Sequence, residues 1–92
     1  MTGSPADKRK DERYDYPAAI TYSLHSDSSE EIFRGVTINL SKSGVCMYLF
    51  RLPEEQQKIK IKSNLPVAAG IAEIRWIKKI EEDFYQVGMA FV

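Results

Sequence analysis

The sequence predicts an all-β fold: a small six-stranded antiparallel barrel or closed sandwich, with a flexible N-terminal arm. Three observations predict it. Apolar residues recur at period two in several short segments. Ser, Asp, Asn, Gly or Pro clusters bound those segments. Across 92 residues no convincing amphipathic helical period occurs. Closure follows from size, because so short a chain gains most by hiding its strand edges.

Residues 1–14 are polar and charged, without apolar periodicity, and are expected to form the arm; residues 15–92 form the barrel domain. From Tyr16 the pattern changes: Ala18, Ile20, Tyr22 and Leu24 alternate with Ala19, Thr21 and Ser23, the signature of a half-buried strand. Ser26 to Ser29 read as a loop. A second strand then runs from about Ile32 to Leu40, with Val36, Ile38 and Leu40 expected on one face. Gly44 to Phe50 is apolar on both faces and predicts an enclosed third strand. Pro53 and two glutamates make residues 51–57 a connection. Ile59 and Ile61 alternate with Lys58, Lys60 and Lys62, a strand whose lysine row would deter edge-to-edge pairing. After a turn at Pro66, Val67 to Ile80 predicts a long strand, bent near Gly70. Glu81 to Asp83 turn the chain into a last strand, Phe84 to Val92.

Composition narrows the function. Thirteen basic residues balance thirteen acidic ones, so the chain lacks the broad positive field of a general nucleic-acid binder. Any basic site must be local, and Lys8, Arg9, Lys10 and Arg13 supply one. The single cysteine, Cys46, sits in an apolar run and reads as a buried thiol. No apolar signal core or membrane-spanning stretch occurs, which predicts a cytoplasmic protein without membrane insertion. Catalysis finds no support: His25 is the only histidine and lies beside a Ser/Asp loop, and His25 with Cys46 falls short of the four ligands of a structural zinc site. We therefore expect no catalytic residue, no metal and no cofactor.

Two motifs remain. Arg9 and Arg13 hold the spacing R-x-x-x-R, and Asn39, Ser41 and Gly44 hold N-x-S-x-x-G. Either alone is ambiguous: arginines recur on solvated tails, and Asn, Ser and Gly recur in ordinary turns. Together, in this order around the first strands, and with Val87-Gly88-Met89-Ala90-Phe91 closing the chain, they resemble the PilZ family, whose domains bind the bacterial second messenger cyclic di-GMP. The resemblance runs from about Lys8 to the C-terminus and matches each defining position of both motifs. It implies a small six-stranded antiparallel β-barrel, PilZ-like and of the split-barrel type, with little or no C-terminal helix, that receives cyclic di-GMP without catalysis and passes the signal to a downstream protein partner.

The chemistry suits that ligand. Arginine's planar fork bonds a phosphate or guanine O6/N7 with two parallel hydrogen bonds. Asn39 would offer its carbonyl to guanine N1–H and N2–H2; many relatives carry Asp there, a stronger acceptor. Ser41 would donate to a base or phosphate oxygen, with the Ser43 hydroxyl in the same turn, and Gly44 would let the backbone turn tightly toward the ligand. Resemblance also assigns Lys8 a part, since a basic residue before the first arginine accompanies two stacked ligand molecules in this family. Trp76 would stack on a guanine face, but its setting in Ile74-Arg75-Trp76-Ile77 assigns it to the core. The arm is expected to be loose without ligand and to close over it. Two alternatives stand beside this reading. One is an OB- or SH3-like barrel binding single-stranded nucleic acid through Tyr22, Tyr48 and Phe84, against which charge balance and the apolar setting of those rings argue. The other is a degenerate PilZ domain that acts only in protein contacts.

Overall fold

The computed structural model describes residues 12–25, 31–67 and 70–92 and contains six strands: β1 Tyr14–Leu24, β2 Phe33–Leu40, β3 Gly44–Leu49, β4 Lys58–Ile61, β5 Ile71–Glu81 and β6 Phe84–Phe91. All neighbours are antiparallel, and they close into a barrel in the order β1-β2-β3-β6-β5-β4. Among the described residues there is no helix, and hence none long and apolar enough to cross a membrane.

The inward face collects what the alternation predicts. Ile20 and Tyr22 from β1, Val45, Met47 and Leu49 from β3, Ile59 and Ile61 from β4, and Val87 and Met89 from β6 are buried in one cluster. Removing each such aliphatic side chain from water contributes about 1.5–3 kcal/mol before chain entropy is subtracted. Lys58 and Lys60 stand exposed and alternate with the buried Ile59 and Ile61, as the pattern requires. They guard no open edge, however. β4 pairs with β1 on one side and β5 on the other, so the closed ring has already removed the edge the lysine row was expected to protect.

Strand limits differ from the sequence reading by more than one residue at two places. β1 begins at Tyr14, because Tyr14 and Asp15 pair with Leu40 and Asn39 across β2. β5 begins at Ile71 rather than Val67: Pro66 has no N–H to give a ladder, and Leu65 and Val67 instead pack against the core as partly buried plugs, while the Gly70 carbonyl just before β5 accepts from the Ile61 N–H at 2.8 Å.

Four irregularities interrupt the register, and one of them, between Lys79↔Tyr85 and Glu81↔Phe84, leaves Ile80 without a partner on β6 beside the last turn. The other three shape the wall. Between Asp15↔Asn39 and Ala18↔Thr37, β1 spends Tyr16 and Pro17 against Ile38 alone, and a proline fits where no ladder donor is needed. Between Thr37↔Met47 and Asn39↔Cys46, Ile38 is one residue too many for β3. Between Ile74↔Met89 and Trp76↔Gly88, Arg75 is one too many for β6. Thr37 stands at the first of these. Its buried hydroxyl lies against the carbonyls of Tyr16 and Ala18 (3.2 Å to the latter), and its proton is donated at the point where the β1–β2 register shifts. The expectation that Val36, Ile38 and Leu40 share a face is corrected here. Gly35, Thr37 and Leu40 point inward, and the extra residue at Ile38 is the cause.

Candidate functional site

A bulge flips the phase of every side chain beyond it. On β2 the uninterrupted alternation Gly35, Thr37, Asn39 would turn Asn39 into the core. The extra residue at Ile38 turns it outward, opposite Cys46. On β5 the alternation Ala72, Ile74, Trp76 would bury the indole. The extra residue at Arg75 turns Trp76 outward, opposite Gly88, where it is 44% exposed. The core position expected for Trp76 is thereby corrected.

Both bulges serve one cross-strand row on the outer wall: Asp15, Asn39, Cys46, Gly88 and Trp76, each the register partner of the next. Adjacent strands lie about 4.8 Å apart, so the backbones of Asn39 and Trp76 are separated by roughly 14 Å. The residues between them are small. Cys46 and Gly88 fill the row itself, and Gly44 paired with Ala90 continues it toward the β2–β3 turn. The result is a shallow trough with a polar wall at Asn39 and an aromatic wall at Trp76. The indole leans over the trough floor, for a Cβ on Gly88 would come within 2.1 Å of Trp76 Nε1. Gln86 donates from Nε2 to Cys46 Sγ at 3.4 Å beside the floor.

Arg13 meets the polar wall. Its Nη1 donates to Asn39 Oδ1 at 2.7 Å, across 26 residues of sequence, so one arginine of the first motif and the leading residue of the second are in direct contact. A carbonyl oxygen carries two lone pairs, which leaves Asn39 Oδ1 able to accept a second donor while it holds Arg13. Arg9 and Lys8 lie outside the described residues.

The turn is organised by Ser41. Its hydroxyl oxygen accepts from the backbone N–H of Ser43 (3.2 Å) and of Gly44 (3.1 Å), and lies 3.3 Å from Ser43 Oγ. Its own N–H donates to the Gly44 carbonyl at 2.9 Å. With both lone pairs engaged and 2% of its surface exposed, Ser41 shapes the turn, and the hydroxyl presented to solvent is that of Ser43. Gly44 is also required for a reason other than the expected one. No glycine in the described chain has positive φ. Instead a Cβ on Gly44 would lie 2.4 Å from the Met89 carbonyl oxygen of β6, backbone that cannot step aside.

The structure thus brings Arg13, Asn39, Ser43, Gly44 and Trp76 around one trough and places Ser41 beneath it. Sequence reasoning missed Arg75, whose half-exposed guanidinium stands beside Trp76 and pairs with Glu73 at 3.1 Å. It also missed Gly88 and Cys46 as floor. A cation next to an aromatic was the only available signal, because the floor depends on register. The three rings weighed as nucleic-acid platforms part company: Tyr22 is buried, while Tyr48 and Phe84 lie on the outer face with ring centroids 4.9 Å apart.

Comparison with known proteins bears on the family and the fold. No curated protein matches the chain. Among solved structures, MrkH of K. pneumonia in complex with c-di-GMP superposes with a TM-score of 0.52 at 11% identity, covering 92% of this chain and 44% of that one. The chain therefore corresponds to less than half of the length of MrkH in that structure, and the likeness is one of fold. The model of the PilZ domain matches residues 7–92. With that match over nearly all of its length, the chain belongs to the PilZ domain family.

Proposed function

We propose that this domain is a non-catalytic receptor for cyclic di-GMP, which it binds in the outer trough between Asn39 and Trp76. One observation carries the reading: Arg13 and Asn39, from motifs far apart in sequence, share a 2.7 Å hydrogen bond at the edge of a trough with a small-residue floor. Family membership and the bound nucleotide in the MrkH structure support it. In this reading Arg13, with Arg9 from the arm, forks onto phosphate or guanine O6/N7. Asn39 Oδ1 takes a guanine N–H on its second lone pair. The Ser43 hydroxyl donates to a phosphate oxygen, and Trp76 stacks on a purine face, worth about 1–3 kcal/mol. Ser41 and Gly44 act by holding the turn. Lys8 favours a second, stacked nucleotide.

Binding would exchange a solvated arm for an ordered one, with the ordering cost subtracted from the affinity. The altered surface would then be read by a protein partner in the cytoplasm, since a ligand shifts only an equilibrium whose states it binds unequally. Calorimetric titration with cyclic di-GMP, with GTP and cyclic di-AMP as controls, tests the reading on the parent and on Arg13→Ala. The expected result is selective binding by the parent and loss of most of it in the variant. Equal affinity in the two proteins, or no heat from the parent, would overturn it.

A further inference from the structure

The end of the barrel away from the β2–β3 turn holds a pocket of about 160 Å³. Its floor is core: Tyr22, Leu49, Ile59 and Ile74, each 1% exposed or less. Its rim is the β3–β4 connection, which contributes Arg51 and Glu54. That connection is fastened down. Gln56 N–H donates to the Ile74 carbonyl and Ile74 N–H to the Gln57 carbonyl, both at 2.9 Å, so the pocket exists before anything enters it.

Two polar groups in this apolar setting are left over. Tyr22 is 1% exposed, yet its hydroxyl makes no hydrogen bond to any described residue, where a buried phenol ordinarily finds one. Burial pushes the phenol above its ordinary pKa, while the Arg51 guanidinium pulls it down, which sets the two groups within electrostatic reach of each other. Arg51 lies 4.1 Å above the centroid of the Phe33 ring. Among the described residues it forms no ion pair, although Glu54 lines the same pocket; the pairs formed are Arg75–Glu73 and Lys79–Glu82.

We propose that this pocket is a second ligand site, which takes a small monocarboxylate borne on a single ring or a short branched chain. The apolar part rests on Leu49, Ile59 and Ile74, and the carboxylate accepts from the Tyr22 hydroxyl and the Arg51 guanidinium. Size sets the upper limit, since a cavity of about 150 Å³ admits one benzene ring. Charge sets the other limit: one guanidinium, with Glu54 lining the same pocket, suits a monoanion and disfavours a phosphate dianion. The site stands independently of the nucleotide reading, because it occupies the opposite end of the barrel and shares no residue with the trough.

Titration of the full chain with benzoate, read by methyl NMR and compared with toluene, tests the proposal. Benzoate is expected to shift the methyls of Leu24, Leu49, Ile59 and Ile74 and to leave Val45 and Met89 unmoved. Arg51→Met and Tyr22→Phe are each expected to weaken benzoate about tenfold, the value of one charge-assisted hydrogen bond, while toluene stays indifferent to both. Tyr22→Phe should melt no lower than the parent, because it removes a buried hydroxyl that has no hydrogen-bond partner among the described residues. Absence of shifts at about 10 mM benzoate would overturn the proposal. So would toluene binding as tightly as benzoate, or unchanged benzoate affinity in Arg51→Met, an exposed position that leaves the core intact.

Discussion

Strands β3 and β6 pair residue for residue from Gly44↔Ala90 to Leu49↔Tyr85, whereas β2, on one side of them, carries one residue more than β3 accommodates and β5, on the other, carries two more than β6, at Arg75 and Ile80. The regular pair builds the core and the floor of the trough. The irregular pair builds its walls, because the extra residues at Ile38 and Arg75 rotate two would-be core side chains, Asn39 and Trp76, onto the outer surface. A barrel wall made only of regular strands would present at the site whatever alternation left outside. Two single-residue insertions instead place the polar and aromatic walls on one cross-strand row.

The sharpest way to break this comparison is to remove one residue from each kind of strand. Removing Cys46 from β3 should invert the facing of half a central strand, at a cost above the ~5–15 kcal/mol that holds a domain of this size; the protein should show no cooperative unfolding transition. Next comes Gly44→Ala, where a methyl meets the Met89 carbonyl oxygen; urea denaturation should show a loss of about 3 kcal/mol. Thr37→Val keeps the shape but takes the hydroxyl donor from the Tyr16 and Ala18 carbonyls at the β1 bulge, and should cost about 1–3 kcal/mol in the same assay.

Removing Arg75 should cost only about 1 kcal/mol, since it turns Ile74 and Trp76 into consecutive residues of a regular ladder with both facings kept, and the ion pair lost is a surface one. Trp76 fluorescence should remain that of a half-exposed indole. The smallest effect on stability belongs to Trp76→Ala, below about 1 kcal/mol against the roughly 3–5 expected of a core tryptophan. Cyclic di-GMP affinity should nonetheless fall by about tenfold or more, as loss of a stacking surface predicts. A large stability loss in this variant would return Trp76 to the core.

What was legible follows from local chemistry. Ile20 and Tyr22, or Ile59 and Ile61, announce their faces because an unbroken strand needs nothing but its own alternation. The β2–β3 turn was legible because Asn, Ser and Gly write a turn wherever they stand at that spacing. Trp76 was misplaced by the same rule applied one residue too far, since nothing about Arg75 marks it as the residue β6 leaves unpaired. Gly44 was recognised, but for conformational freedom it does not use.

By itself the sequence determined the strand count, the inward set on the regular strands, the position of the turn and the two motifs, all of which depend on residues within a few positions of one another. Only the tertiary structure decided the register of β2 on β3 and of β5 on β6, the closure of β4 onto β1, and the meeting of Arg13 with Asn39. The physical reason is that a bulge belongs to a pair of strands. Its location minimises the energy of two segments together, and neither segment carries a record of it alone.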